Sequence, residues 1–363
     1  MEELIRDWDG ESVVIRYDAT ARAWMFVAVH DRTLGMALGG CRFKKYTEPR
    51  EALRDALRLA QGMTYKWAAV ELPFGGGKSV IAPTHPLDAA QRDALLLRFG
   101  ELLHSLGGLY GTGIDLGTTP ADMNVIGRRA EWVFGRTRDQ GGSGDPGPWT
   151  AEGVHAGLRA ACEHVFGAAS PARLAVLVQG VGGVGAPLAR RLAADGARVM
   201  ISDALPARTT ALAAEIGADI VKPEAVYNTP CDVFAPCAIG GILNQRSIAK
   251  LQCRVVAGSA NNQLEHDSDA DLLHARGILY VPDFVINAGG AIAHASLEVL
   301  RWTEREATAR VRRIRDTVAD ILEKAASAGE SPLHEAIRRS ERVLANARAA
   351  KRREPADERA IAP

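Results

Sequence analysis

The stretch Leu174-Ala175-Val176-Leu177-Val178-Gln179-Gly180-Val181-Gly182-Gly183-Val184-Gly185 decides the fold class. Its apolar run predicts a strand buried on both faces, as in a parallel sheet flanked by helices. The glycines follow at once in the spacing Gly-x-Gly-x-x-Gly, and Ala186 to Ala194 then reads as a helix. Ala197 to Asp203 is the next apolar run and ends in an acid. Strand, glycine turn, helix, strand and terminal aspartate together form a dinucleotide-binding unit. Gly180 permits the tight turn, Gly182 lets a pyrophosphate approach the backbone, and Gly185 lets helix and strand pack closely. Gly183 and Val184 complete the loop, and the helix start offers its N–H groups to the phosphates. Asp203 would accept from ribose hydroxyls and repel a 2′-phosphate, which favours NAD over NADP. Arg208 nearby is the one residue that weighs the other way.

Downstream the alternation of strand and helix continues. Asp232–Ala238, Arg254–Ala260 and Ile278–Pro282 read as strands that end in Ala238, the pair Asn261-Asn262, and Asp283. Ligands of open α/β sheets bind at such carboxyl ends. The two asparagines could hydrogen-bond a ligand or cap the next helix. Asn287 reads as the cap of a helix that begins Asn287-Ala288-Gly289-Gly290. Glu304 to Ala328 is one amphipathic helix, Ser331-Pro332 starts a last one, and residues 351–363 form a solvated, flexible tail.

Upstream, Ser12–Tyr17 and Ala23–Val29 are strands rich in β-branched and aromatic residues. Leu38-Gly39-Gly40-Cys41-Arg42 is either a place where backbone N–H groups face a ligand or an ordinary turn. Glu51 to Met63 is helical and delivers Lys66 near its C-terminal end. Leu72-Pro73-Phe74-Gly75-Gly76-Gly77-Lys78-Ser79 then reads as a glycine turn that presents Lys78 at the entrance to an apolar strand. A phosphate loop of the Gly-x-x-x-x-Gly-Lys-Ser type is excluded, because the first glycine would have to stand where Leu72 is. Asp88 to Leu106 is a second helix. Asp115 lies in the glycine-rich turn Gly111–Thr119, where an aspartate is either a turn former or a functional acid. Thr119-Pro120 starts a helix, with Thr119 as cap.

Residues 138–149 are dominated by Gly, Pro and polar residues and mark a linker. The chain of 363 residues is long enough for two domains. Lys+Arg and Asp+Glu both number 44, so no net field favours nucleic acid or an anionic membrane. The five cysteines show no Cys-x-x-Cys spacing, so neither a disulfide framework nor a metal site is indicated. The acidic Met1-Glu2-Glu3 start lacks a signal-peptide pattern, and no apolar run reaches membrane-span length, so the expected location is cytoplasmic.

Gly39-Gly40, Met63-Thr64-Tyr65-Lys66, Gly75-Gly76-Gly77-Lys78, Asp115-Leu116-Gly117-Thr118, Ala235-Pro236-Cys237-Ala238, Ala260-Asn261-Asn262 and Asn287-Ala288-Gly289-Gly290 carry a family resemblance. In content and order they resemble the amino-acid dehydrogenases that handle glutamate, leucine, phenylalanine and valine. Within that family the chain is most similar to the phenylalanine-handling branch, through Trp8-Asp9-Gly10-Glu11, Leu72-Pro73-Phe74, His274–Tyr280 and Glu298–Trp302. Branched-chain members usually carry Val where this chain has Ala291, and Ala-Glu where it has Gly113-Ile114; both changes enlarge the side-chain pocket.

The resemblance implies an α/β fold of two domains, an N-terminal substrate and catalytic domain (1–145) and a Rossmann dinucleotide-binding domain (146–325), separated by a cleft. Helices from about 326 to 350 would pack back on the first domain. Lys66 and the N–H groups of Gly39 and Gly40 would hold the substrate carboxylate. Lys78 would be the general base on a water, and Asp115 would move protons to and from the amino nitrogen. Leu38, Gly113, Ala291 and Asn262 would line the substrate, and Ala238, Asn261 and Asn287 would join the Gly180–Gly185 loop and Asp203 around NAD. A lysine is a poor base at its free pKa, and burial beside a second cation, Lys66, would disfavour its charged form. The implied reaction is reversible oxidative deamination of L-phenylalanine by a homo-oligomer. Leucine, valine or tryptophan as substrate is the alternative, and a non-catalytic NAD-binding regulator is a remote one.

Overall fold

The computed structural model describes residues 1–353. The chain forms two compact units, Met1–Asp145 with the segment from Arg339 on, and Pro146–Arg338.

In the first unit, α1 (Glu2–Arg6) leads into β1 (Ser12–Asp18), β2 (Ala23–Asp31) and β3 (Ala37–Phe43). There follow α2 (Pro49–Ala69), β4 (Gly75–Pro83), α3 (Ala89–Ser105), β5 (Tyr110–Ile114) and α4 (Pro120–Ile126). The strands form one sheet in the order β1-β2-β4-β3-β5. β2 runs antiparallel to β1 and β4, and β3 runs parallel to β4 and β5. Side chains alternate between the faces, as strand geometry requires. Phe26, Ala28, Val80 and Ala82 pack with Leu53, Ala56, Leu57 and Ala60 of α2. Met25, Val27 and Ile81 pack on the other side with Leu95, Leu96 and Phe99 of α3 and Met123 and Ile126 of α4. Each large side chain so buried contributes about 1.5–3 kcal/mol. Asp88 caps α3 and Thr119 caps α4, each in a reciprocal capping box.

With both faces covered, every residue of the central strand β4 is buried. Gly75, Gly76 and Gly77 belong to that strand and not to a turn before it, which corrects the sequence expectation. α2 also runs past Met63 to Ala69, so Lys66 lies inside its last turns.

The second unit opens with α5 (Gly147–Phe166), β6 (Ala175–Gln179), α6 (Gly185–Ala194), β7 (Arg198–Ser202), α7 (Pro206–Ile216) and β8 (Asp219–Ile220). It continues with β9 (Val233–Pro236), α8 (Gln245–Ile248), β10 (Val255–Val256), α9 (Asp269–Ala275) and β11 (Leu279–Tyr280). The six strands are all parallel, in the order β11-β10-β9-β6-β7-β8. This is the doubly wound order of a Rossmann sheet, and the winding reverses between β6 and β9. The later strands are shorter than expected; β9 ends at Pro236, which has no N–H to continue a ladder.

Helices α10 (Asp283–Ile286) and α11 (Gly289–His294) follow, then a π-helical turn at Ala295–Val299. The expected single helix over Glu304–Ala328 is two, α12 (Glu304–Arg312) and α13 (Ile314–Ala328). The unit also runs beyond residue 325, because α14 (Pro332–Arg353) is divided. Leu333 and Ile337 pack into the second unit's core. From Arg339 the helix belongs to the first unit, where Arg339 Nε donates to Ala69 O (3.2 Å), Ser340 Oγ donates to Tyr65 O (3.2 Å) and Arg348 pairs with Asp31. Residues 351–353 close α14 and are not part of a tail; the rest of the expected tail, 354–363, lies outside the described residues. Among the described residues no helix is long and apolar enough to cross a membrane, and no group of His, Cys, Asp and Glu could hold a metal ion.

Candidate active site

Three neighbouring strands of the first unit gather the polar centre. Lys78 stands in β4, Arg42 in β3, and Asp115 directly after β5. Lys78 Nζ lies 2.8 Å from Asp115 Oδ1, and the two side chains are only 5% and 12% exposed. Arg42 Nε donates to the other oxygen, Asp115 Oδ2, at 2.9 Å. Below the carboxylate, the Asp115 N–H donates to Thr118 Oγ1 (2.9 Å), whose hydroxyl donates to Cys41 O (3.0 Å). Burial alone would raise the Asp115 pKa. The Lys78 ammonium and then the Arg42 guanidinium outweigh it and hold the carboxyl well below the ordinary range. Asp115 is therefore an anion in the resting site, with a cationic donor set on each oxygen. Cys41, beside it, is fully buried and its thiol is pushed up to about 12, which makes it a core residue and no nucleophile.

Lys66 is 9% exposed and sits between two side chains that pin α2 to the sheet. Thr64 Oγ1 lies 2.8 Å from His30 Nδ1 of β2, and Trp67 Nε1 donates to Leu38 O of β3 at 3.1 Å. The close approach of α2 requires Gly76 of β4: a Cβ there would lie 2.0 Å from Thr64 Oγ1 and 2.3 Å from the Thr64 nitrogen. Gly39 and Gly40 are also strand residues, and their smallness serves packing. A Cβ on Gly39 would meet Gly77 O at 1.8 Å, and one on Gly40 would meet Asp115 Cβ at 2.7 Å. The β3–β4 ladder pairs Leu38 with Gly76 and Cys41 with Ser79 and passes over Gly39 and Gly40 between them. Gly113, the partner of Gly40 on β5, has room: its nearest neighbour would be Phe134 O at 3.5 Å. Leu38, Gly39, Gly40, Lys66, Lys78, Gly113 and Asp115 thus lie in the first unit, whereas Asn262 and Ala291 belong to the second.

In the second unit the glycine loop divides by role. Gly180 has φ +91°, and its N–H donates to Ser202 O at 2.7 Å. A Cβ there would meet Ala238 Cβ at 2.7 Å, so Ala238 lies against the turn, and a Cβ on Gly185 would meet Gly180 O at 1.8 Å. Gly182, by contrast, has only Arg208 Nη1 at 3.8 Å, and Gly183 has nothing within 4 Å. Val184 then caps α6. Open glycine faces at a helix start fit a pyrophosphate, so the residues present suit a dinucleotide. Asp203 accepts from the N–H groups of Val181 and Leu205, both at 2.9 Å, and so holds the loop itself. Asn287 does not cap α11, whose N-cap position is Ala288 and which has no side-chain cap. It follows α10 directly, and its side chain donates to Ser259 O (3.1 Å) and to Asn261 Oδ1 (2.8 Å). Asn262 is left-handed, with φ +52°, and its carbonyl accepts from Gly241 N–H at 2.7 Å.

The sequence assigned no role to Arg42, which closes the Leu38–Arg42 stretch, or to Asp55 and Tyr46 behind it. Arg42 Nη1 donates to Asp55 Oδ2 at 2.8 Å, and the Tyr46 hydroxyl donates to the same oxygen. The one available signal was Arg42 itself, a cation two residues beyond Gly39-Gly40 in a strand.

Sheet order, glycine loop and terminal acid define a dinucleotide-binding α/β protein, and comparison with known proteins narrows the class. Residues 16–139 match the family model for the Glu/Leu/Phe/Val dehydrogenase dimerisation domain, and residues 205–352 the model for Glutamate/Leucine/Phenylalanine/Valine dehydrogenase. The chain is 41% identical over 320 residues to leucine dehydrogenase of Geobacillus stearothermophilus, covering 88% of this chain and 86% of that one. It is 39% identical over 347 residues to valine dehydrogenase of Streptomyces albus, covering 93% of each. The crystal structure of L-tryptophan dehydrogenase from Nostoc punctiforme superposes with a TM-score of 0.80 at 36% identity, over 96% of this chain and all of that one. The chain belongs to the Glu/Leu/Phe/Val dehydrogenase family and is an NAD-type amino-acid dehydrogenase. None of these three relatives is a phenylalanine dehydrogenase, so they leave the substrate side chain open.

Proposed function

We propose that the protein catalyses NAD-dependent, reversible oxidative deamination of L-phenylalanine to phenylpyruvate and ammonia. The observation that supports the chemistry best is the buried Lys78–Asp115 pair at 2.8 Å, brought together across β3 of one sheet. Lys66 and the backbone N–H groups of Gly39 and Gly40 hold the substrate carboxylate. Asp115, an acceptor at Oδ1, exchanges protons with the amino nitrogen. NAD, when bound by the Gly180–Gly185 loop and Asp203, supplies the hydride acceptor; Ala238, Asn261 and Asn287 complete that site. Lys78, in its neutral amine form, then takes a proton from the water that adds to the cationic imine carbon, as a positioned general base. Leu38 and the open face of Gly113 accommodate the ring.

A leucine, valine or tryptophan substrate is the second reading, supported by the names of the relatives. We place the enzyme in the cytoplasm and, from the dimerisation-domain match, in a homo-oligomer. The test is NADH formation at alkaline pH with a panel of L-amino acids. Phenylalanine is expected to give the highest kcat/KM, by about tenfold or more over leucine. A clear preference for leucine, valine or tryptophan would transfer the assignment, and no turnover with any of them would favour the regulatory reading.

A further inference from the structure

Lys78 and Asp115 are the visible end of a longer charged chain. Asp115 Oδ2 accepts from Arg42 Nε at 2.9 Å, Arg42 Nη1 donates to Asp55 Oδ2 at 2.8 Å, and Tyr46 donates to that same Asp55 oxygen. Charges alternate along it: ammonium, carboxylate, guanidinium, carboxylate. Arg42 is 13% exposed and Asp55 22%, so the chain lies mostly inside the first unit. The Arg42 guanidinium keeps its proton at every working pH. Burial lowers the Arg42 pKa, but Asp115 and then Asp55 outweigh it and raise the value further.

We infer that Arg42 is a positioning residue for the amino-acid reaction: held by Asp55 and Tyr46, it occupies Asp115 Oδ2 and leaves Oδ1, beside Lys78, as the only oxygen through which Asp115 can exchange protons. The inference rests on the reading of Lys78 and Asp115 as the catalytic pair. Its consequence is directional. A carboxylate bonded through both oxygens is held against rotation, so substrate nitrogen and Lys78 share one acceptor at one place. Arg42 also fixes the charge of that acceptor. Around Asp115 the charged and titratable groups are Lys78 from β4, Arg42 and Cys41 from β3, and Tyr110 from β5. Burial raises both Cys41 and Tyr110, which stay neutral; Lys78 and Arg42 are the cations that lower the Asp115 carboxyl, with the Asp55 carboxylate behind Arg42 and Asp122 beyond Cys41. Removing one of two cations should move the carboxyl's titration upward.

The test is the pH profile of kcat and kcat/KM for amino-acid oxidation by the full-length enzyme. Four variants are compared with wild type: Arg42→Gln, Arg42→Lys, Tyr46→Phe and Asp115→Asn. Arg42→Gln is expected to lose about 10- to 100-fold in kcat, with amino-acid KM changed less than about threefold. Its acid limb should move up by about one pH unit or more. Arg42→Lys restores the cation and should bring the acid limb back towards wild type while kcat stays reduced. Tyr46→Phe, which removes only the outermost bond, should cost about two- to fivefold in kcat. An acid limb for Arg42→Gln that coincides with wild type would overturn the inference, as would an Arg42→Lys profile identical to that of Arg42→Gln. A fully active Asp115→Asn would instead overturn the parent reading of the pair. If Arg42→Gln fails to fold, the Arg42→Lys and Tyr46→Phe profiles decide: both superposing on wild type in kcat and pH would sink the inference.

Discussion

In β4, a Cβ on Gly75, Gly76 or Gly77 would run into protein atoms at 2.4, 2.0 and 2.6 Å. In the loop after β6, a Cβ on Gly182 would meet only Arg208 Nη1 at 3.8 Å, and one on Gly183 nothing within 4 Å. The two segments read alike as glycine clusters, yet the first spends its missing side chains on protein and the second keeps two faces open. β4 is the middle of a sheet with α2 pressed onto it: Gly76 lets that helix come close to the strand that carries Lys78, while Gly75 and Gly77 make room for Asp31 O and the Tyr110 ring. The loop after β6 closes itself with Gly180 and Gly185 and leaves Gly182 and Gly183 for something outside the chain. Glycine richness thus means internal packing in one unit and open faces that suit a ligand in the other.

The largest expected effect separates the two segments directly. Gly76→Ala should destabilise the first unit by about 3 kcal/mol, because both nearest atoms belong to a helix that would have to lift. A thermal melt should show a fall of several degrees; an unchanged melt would break the packing half of the comparison. Gly182→Ala should leave the melt within about 1 °C and weaken NAD binding about tenfold, which is about 1.4 kcal/mol. An NADH fluorescence titration checks it, and wild-type affinity would remove the cradle.

Acid supplies a smaller and finer contrast. Asp18, Asp31, Asp115 and Asp122, all in the first unit, are buried aspartates whose cationic and N–H partners outweigh burial and hold their pKa values down. A depressed carboxylate stabilises the fold fully above its unfolded value, about 3.9, and loses that contribution as pH falls towards the folded value. Hydrogen exchange should therefore show the first unit loosening before the second as pH is lowered below about 4. Simultaneous loosening, or earlier opening around the Gly180 loop, would contradict this.

The loop after β6 was legible because its function fixes a local order: strand, glycines, helix, strand and Asp203 are consecutive. Thr119 as a cap was legible for the same reason, since a cap acts within three residues of itself. Lys78 and Asp115 were found through their motifs, but their pairing was not, because β4 and β5 are brought together only by β3 between them. Arg42, Asp55 and Tyr46 were missed altogether. Their bonds join a strand, a helix and a loop through packing that no spacing encodes. The division of α14 was equally hidden, since one continuous amphipathic pattern serves two cores in turn.

The most direct test is one variant measured two ways. Lys78→Ala should bind NADH with a Kd within about threefold of wild type while turnover of the preferred L-amino acid falls by about 1,000-fold or more, the range set by loss of a general base. Retained turnover would contradict the assignment of Lys78 as the base. Loss of NADH binding together with turnover would contradict the separation of the lysine centre from the dinucleotide loop.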